Sequence, residues 1–251
     1  MDPQPLFTHR TLDFWDEDSG YQFVAATPEA EPELWSQFLE GARTAYRRFD
    51  AEAALEYDLI RDGRSTALFF AAVTPGGLVH GGSRALGPYS KATESHAFAE
   101  WSDPEIRAEI VRLLDSYVPY GLAEVKSTWV ASRVSRRSEL SAGVSRTLTY
   151  SMELLGTRYL VATSASTALS RWQETGAEVF DTIPPCRYPD ERYRTHLLLW
   201  DVERCRSVQR SRELEKLTAS GTMSGCVELP SPHPKHSHET GRLGHPDGKM
   251  R

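Results

Sequence analysis

Glu124 stands near the start of an extended apolar stretch, Leu122–Ser132 (LAEVKSTWVAS). A carboxylate carried by a strand into a dry cleft has a raised pKa and can take a proton from an amine. Glu124 is therefore a candidate general base; the other reading is a surface residue at a strand end. Arg84 follows the pair Gly81-Gly82. Glycines let a ligand or backbone approach closely, and a guanidinium there can clamp a carboxylate with two hydrogen bonds. A solvated turn arginine is the alternative. Tyr57 and Asp58 could hold an ammonium or orient Arg84, or could simply end a helix. Arg133, Arg136 and Arg137 precede a helical stretch, where guanidinium groups and free backbone N–H donors make an anion site; a solvated charge run would look the same. His80 and His96 stand alone and read as structural. No metal-ligand spacing, nucleophile triad, P-loop or dinucleotide fingerprint is visible.

These residues need elements to position them. Tyr21–Ala26 reads as a strand. Pro32–Phe49 repeats apolar residues at helical spacing and starts on proline. Ala51–Ile60 is ambiguous between helix and extended chain. Thr66–Val73 and Leu78–Leu86 flank Pro75-Gly76-Gly77 and read as a hairpin. Asp103–Tyr117 is a helix with Asp103 as N-cap. After the Leu122–Ser132 strand comes a helix, Glu139–Leu155, with Ser138 before it as N-cap and Gly156 after it as stop. Arg158–Thr163 is a strand, Ser166–Thr175 a helix closed by Gly176, and Glu178–Ile183 and Thr195–Trp200 are strands. The order predicts an α/β (α+β) layered fold, a mixed sheet with helices on both faces. Residues 1–20 read as a lead-in, 21–203 as the folded domain, and 204–251 as a tail too poor in apolar residues to offset its ordering entropy.

Composition narrows the function. The 251 residues carry a net charge of −6, which argues against a nucleic-acid partner. Three cysteines at wide spacing, Cys186, Cys205 and Cys226, suggest neither a disulfide framework nor a zinc site. Four tail histidines, His233, His236, His238 and His245, read as solvated. No apolar run is long enough for a membrane span, and the acidic N-terminus lacks an apolar leader. A cytoplasmic location is the expectation.

The element order is similar to that of the GNAT acyltransferase superfamily, over roughly residues 21–201, and the resemblance implies a mostly antiparallel sheet. Ala168-x-x-x-Trp172-x-x-x-Gly176-Ala177 looks like that superfamily's Ala-x-x-x-Tyr-x-x-x-Gly-Phe segment, with Trp172 in place of a tyrosine that could protonate the leaving thiolate. The superfamily's glycine-rich pyrophosphate loop is missing; the corresponding stretch runs from Arg133 to Gly143. The acyl-homoserine-lactone synthases and related N-acyl amino acid synthases lack the loop too. Their motifs are echoed by Arg43-Thr-Ala-Tyr46, by Glu56-Tyr57-Asp58, by Gly81–Pro88 and by Glu124, although their arginine after the glutamate is absent here. The resemblance implies an N-acyltransferase that moves an acyl group from acyl-CoA or an acyl carrier protein to a small-molecule amine such as an amino acid, without a metal. It also implies Glu124 and Arg84 as catalytic residues, and Tyr57, Asp58, Trp129 and Trp172 around the substrate. Arg133, Arg136 and Arg137 would meet the donor phosphate or carrier protein. A non-catalytic domain of the same fold, binding an acyl ligand or a protein, is the alternative.

Overall fold

The computed structural model describes residues 11–208. Eight strands form one sheet, in the order β1-β2-β3-β4-β5-β6-β8-β7. They are β1 (Leu12–Asp16), β2 (Tyr21–Ala26), β3 (Leu68–Val73), β4 (Val79–Leu86), β5 (Leu122–Val130), β6 (Tyr159–Ala165), β7 (Glu178–Val179) and β8 (Thr195–Asp201). Every neighbouring pair is antiparallel except β5 and β6, which run parallel. The helices are α1 (Pro32–Arg47), α2 (Tyr57–Ile60), α3 (Pro104–Asp115), α4 (Arg137–Leu155), α5 (Leu169–Glu174) and α6 (Val202–Val208).

Successive strand residues face opposite ways, and here both faces are covered. Phe70, Ala85, Val125, Ala162, Leu198 and Trp200 pack beneath Leu140, Val144 and Leu148 of α4. On the other face, Phe69 and Ala71 meet Trp35, Phe38 and Ala42 of α1. Leu122, Val161 and Leu199 meet Ile110 and Leu114 of α3 on the same side. Local chemistry sets the helix ends. The Asp103 carboxylate accepts from the backbone N–H of Glu105 at 2.8 Å and Ile106 at 3.4 Å, capping α3. Gly156 ends α4 in the left-handed conformation, at φ 65°, which costs a residue without Cβ nothing.

Several boundaries differ from the sequence expectation. β1 lies in the stretch read as a lead-in and pairs with β2 along its whole length. Only Leu12, Phe14 and Asp16 of it are buried, and five residues are too short a run for alternation to stand out. Ala51–Ile60 becomes a 3-10 turn, Glu52–Leu55, followed by α2. Helix α4 begins at Arg137, with Arg136 at φ 50° before it, so Ser138 is its second residue rather than its N-cap. Strand β7 stops at Val179, because Ile183 N–H turns back to the Phe180 carbonyl at 3.1 Å. The sheet is followed by α6, whose Val202 and Cys205 are buried. The tail from residue 209 onward, with Cys226 and its histidines, lies outside the described residues.

Candidate active site

Strands β5 and β6 pair only at their starts, Leu122 with Tyr159, Ala123 with Leu160 and Glu124 with Val161. Beyond Glu124 they part. The wedge between them opens into a cavity of about 420 Å³ lined by residues from both faces of the sheet. A bulge in β5 helps to part them. Gly82 opposes Trp129 and Arg84 opposes Lys126, so Ser127 and Thr128 together face the single residue Ser83. Ser127 sits at φ 52°, a strained conformation for a non-glycine residue that must be held by its surroundings. The hold is visible: the Arg84 Nε donates to Ser127 Oγ at 3.1 Å.

On the α4 face the cavity is lined by Val125, Leu148, Ala162, Trp172 and Trp200. Trp172 donates its indole N–H to Ser164 Oγ at 2.9 Å and meets Trp200 edge-on. On the α1 face the lining turns polar and aromatic, with Tyr46, Glu100, Lys126, Thr163, Tyr188 and Tyr193. Trp129 also lines the cavity; its ring lies against Phe38 and against Gly41 of α1, where no Cβ would fit. Its buried indole N–H lacks a hydrogen-bond partner among the described residues.

Glu100 is the carboxylate inside the cavity. It ends a 3-10 turn, Ala97–Glu100, and its side chain is 4% exposed. Burial pushes its carboxyl up to about 7, against the opposing pull of Lys126 and of a hydrogen bond from Thr163, while nearby Glu124 pushes the same way as burial. Its Oε1 lies 3.3 Å from Lys126 Nζ, and its Oε2 is buried without a hydrogen-bond partner among the described residues. A carboxyl raised toward neutrality on the lining of a cleft suits general acid–base chemistry.

The residues singled out in the sequence fall in different places. Glu124 is 1% exposed and does not line the cavity. Its Oε2 accepts from Tyr89 Oη at 2.8 Å, Ser95 Oγ at 2.9 Å and the His96 N–H at 2.8 Å, which ties the segment after β4 to β5. Arg84 is also 1% exposed and behind the lining. Besides Ser127 it reaches Thr66 Oγ1 at 3.3 Å and Ser65 Oγ at 3.4 Å. Burial lowers its pKa, while Glu124 and Tyr46 hold it up. Tyr57 and Asp58 sit on α2 outside the lining; Tyr57 donates to Glu40, its ring lies under Arg43, and Asp58 is exposed. Of the three arginines, only Arg137 lines the cavity. It donates to the Ala131 carbonyl at 3.3 Å. Arg136 reaches the carbonyls of Glu17 and Asp18 in the turn between β1 and β2, and Arg133 is exposed. Arg171 of α5, absent from the sequence reading, lines the cavity beside α4 and donates to Ser141 Oγ at 2.9 Å. Among the described residues no group of His, Cys, Asp and Glu is arranged to hold a metal ion, and no helix is long and apolar enough to cross a membrane.

The eight-stranded, mostly antiparallel sheet with helices on both faces has the GNAT N-acyltransferase fold. FeeM, an N-acyl amino acid synthase from uncultured soil microbes, superposes with a TM-score of 0.51 at 15% identity, over 75% of this chain and 95% of that one. A GCN5-related N-acetyltransferase from Brucella melitensis gives 0.49 at 14% identity, over 83% and 86%. In sequence, the chain belongs to the same family as uncharacterized proteins of Mycobacterium tuberculosis and Mycobacterium bovis. It is 37% identical to them over 215 residues, which is 86% of this chain and 82% of theirs. No family profile matches it.

Proposed function

We propose that the chain is an N-acyltransferase that moves an acyl group from a thioester, of CoA or of an acyl carrier protein, to an amine in the β5–β6 wedge. The observation that carries this reading is Glu100, a buried carboxyl on the lining of the β5–β6 cavity, which burial pushes up to about 7. Glu100 takes the ammonium proton and leaves a neutral amine. The nitrogen attacks the thioester carbonyl and a C–N bond forms; as the C–S bond breaks, the nitrogen gives up its extra proton through water to the departing thiolate, and Glu100 returns the ammonium proton to solvent. Ser127 and Thr128 have no ladder partner in β4, so the bulge offers backbone N–H donors for the developing oxyanion. Arg84 positions that bulge from behind and Glu124 anchors the wall that carries Glu100. Trp129 and Trp172 border the reacting groups. The donor's phosphate, or an acidic carrier surface, fits the end of the cavity where Arg137, Arg171 and the free N–H groups of the α4 N-terminus lie together. Arg133 and Arg136 stand further out, where a carrier protein could reach them.

The test is release of free thiol from acyl-CoA and from an acyl carrier protein thioester, with a panel of amines and intact-mass detection of the product. Acylated amine formed by the wild type and lost in Glu100→Gln is the expected result. Donor binding without thiol release for any amine would favour the non-catalytic binding domain instead.

A further inference from the structure

Charge and ring chemistry on the α1 face of the cavity constrain the amine itself. The cations among the described residues lining the cavity are Lys126, Arg137 and Arg171. The two arginines belong to the α4 end. Lys126 is already shared between two carboxylates, at 3.3 Å from Glu100 Oε1 and 3.8 Å from Glu56 Oε2. Arg84 does not line the cavity; its Nε donates to Ser127 Oγ and its Nη1 to Thr66 Oγ1 and Ser65 Oγ. With Glu100 ionised and His96, 4.0 Å from Glu124, neutral, the carboxylates Glu56, Glu100 and Glu124 face the cations Lys126 and Arg84, which leaves one negative charge in excess. An entering ammonium balances that excess. An entering carboxylate beside Glu100 finds Lys126, the cation lining this end, already shared between two carboxylates and meets like charge at low dielectric, a large penalty. The rest of this face is mainly aromatic and apolar, with Tyr46, Phe49, Tyr188, Pro189 and Tyr193 beside Thr163. Burial holds the Tyr46 phenol up at about 12 and raises that of Tyr188 as well, so both stay neutral hydrogen-bonding rings.

Resting on the acyltransfer reading above, we propose that the acceptor is a primary amine on an aromatic or apolar body without an α-carboxylate, an arylalkylamine rather than an amino acid. The cavity then rejects amino acids through an unpaired buried carboxylate, a form of discrimination stronger than any missing methylene could give.

The experiment pairs acceptors of equal body at pH 8 with one acyl-CoA: 2-phenylethylamine against phenylalanine, and tyramine against tyrosine. Phenylalanine amide serves as a control that keeps the α-substituent without its charge. The amines should exceed the amino acids by about 10²-fold or more in kcat/KM, with phenylalanine amide on the amine side. Glu56→Gln frees Lys126 from one of its two carboxylates and should shrink the preference by about tenfold. Amino acids used as well as the amines would overturn the proposal and leave acyltransfer standing. If no acceptor releases thiol, thermal shifts separate the two ideas. Stabilisation by 2-phenylethylamine but not by phenylalanine, lost in Glu100→Gln, keeps the amine site and sinks the acyltransfer reading. Stabilisation by neither overturns both.

Discussion

Replacing Glu100 by Gln keeps its shape and removes its titration. In the folded chain the carboxyl is raised from an ordinary 4.5 to about 7. It therefore binds its proton more tightly folded than unfolded, and stability must rise as pH falls from above 7 toward 4.5. At pH 8 the wild type bears the full cost of keeping a buried carboxylate ionised, on the order of 3 kcal/mol. Gln bears none of it. Glu100→Gln should thus be more stable than wild type at pH 8 by roughly 3 kcal/mol, or about 6–12 °C in Tm for a domain of this size. At pH 5 the wild-type side chain is protonated in the fold and the advantage should shrink to about 1 kcal/mol. Thermal or urea unfolding at the two pH values reads the difference directly. The same substitution should lower turnover by roughly 10²–10⁴, and wild-type kcat/KM should rise through pH 7 as the base ionises. A variant that is less stable than wild type at pH 8, or that differs by the same amount at both pH values, would refute the assignment of a strained carboxylate to the cleft.

Other perturbations separate the remaining roles. In Gly41→Ala an added Cβ would lie 2.0 Å from the Trp129 ring, so a net loss of about 1–2 kcal/mol in urea unfolding is expected despite the better helix propensity of alanine. The pair Arg137→Gln with Arg171→Gln should raise the donor KM more than it lowers kcat, whereas Arg133→Gln should change neither appreciably in steady-state assays with acyl-CoA. Arg84→Met removes the guanidinium that holds the Ser127 bulge and leaves Glu124 without its nearby cation, so denaturation should show a loss of about 2–4 kcal/mol, with kcat falling alongside.

The local grammar of the chain was legible. Asp103-Pro104, Pro32 and Gly156 mark helix ends through contacts within a few residues, and Pro75-Gly76-Gly77 marks a hairpin whatever surrounds it. The cleft was not, because its parts meet across long separations. Lys126 finds Glu100 across 26 residues and Arg171 finds Ser141 across 30. Glu100 hides in a 3-10 turn without periodicity, so no pattern separates it from any other exposed-looking acid. Glu124 lies on the strand that borders the cavity and on the face that also carries Lys126, but it is the last residue of β5 still paired with β6 and so stays behind the lining. The bulge that parts those strands carries a serine at positive φ rather than a glycine, so sequence gives it no mark.

The parting of β5 and β6 gives this sheet four borders instead of two. Beyond Glu124, β5 turns one side toward an opening while β4 pairs with the other, and β6 does the same against β8. An unpaired strand border in water invites stray chains to add to it. Here the border lies in the middle of the molecule, beneath α4 on one side and the Tyr188–Tyr193 segment on the other, so only a narrow extended guest can reach it. Amide hydrogens bordering the wedge should therefore exchange with solvent faster than those of β3 and β4, although both belong to the same continuous sheet, and a bound guest should slow them.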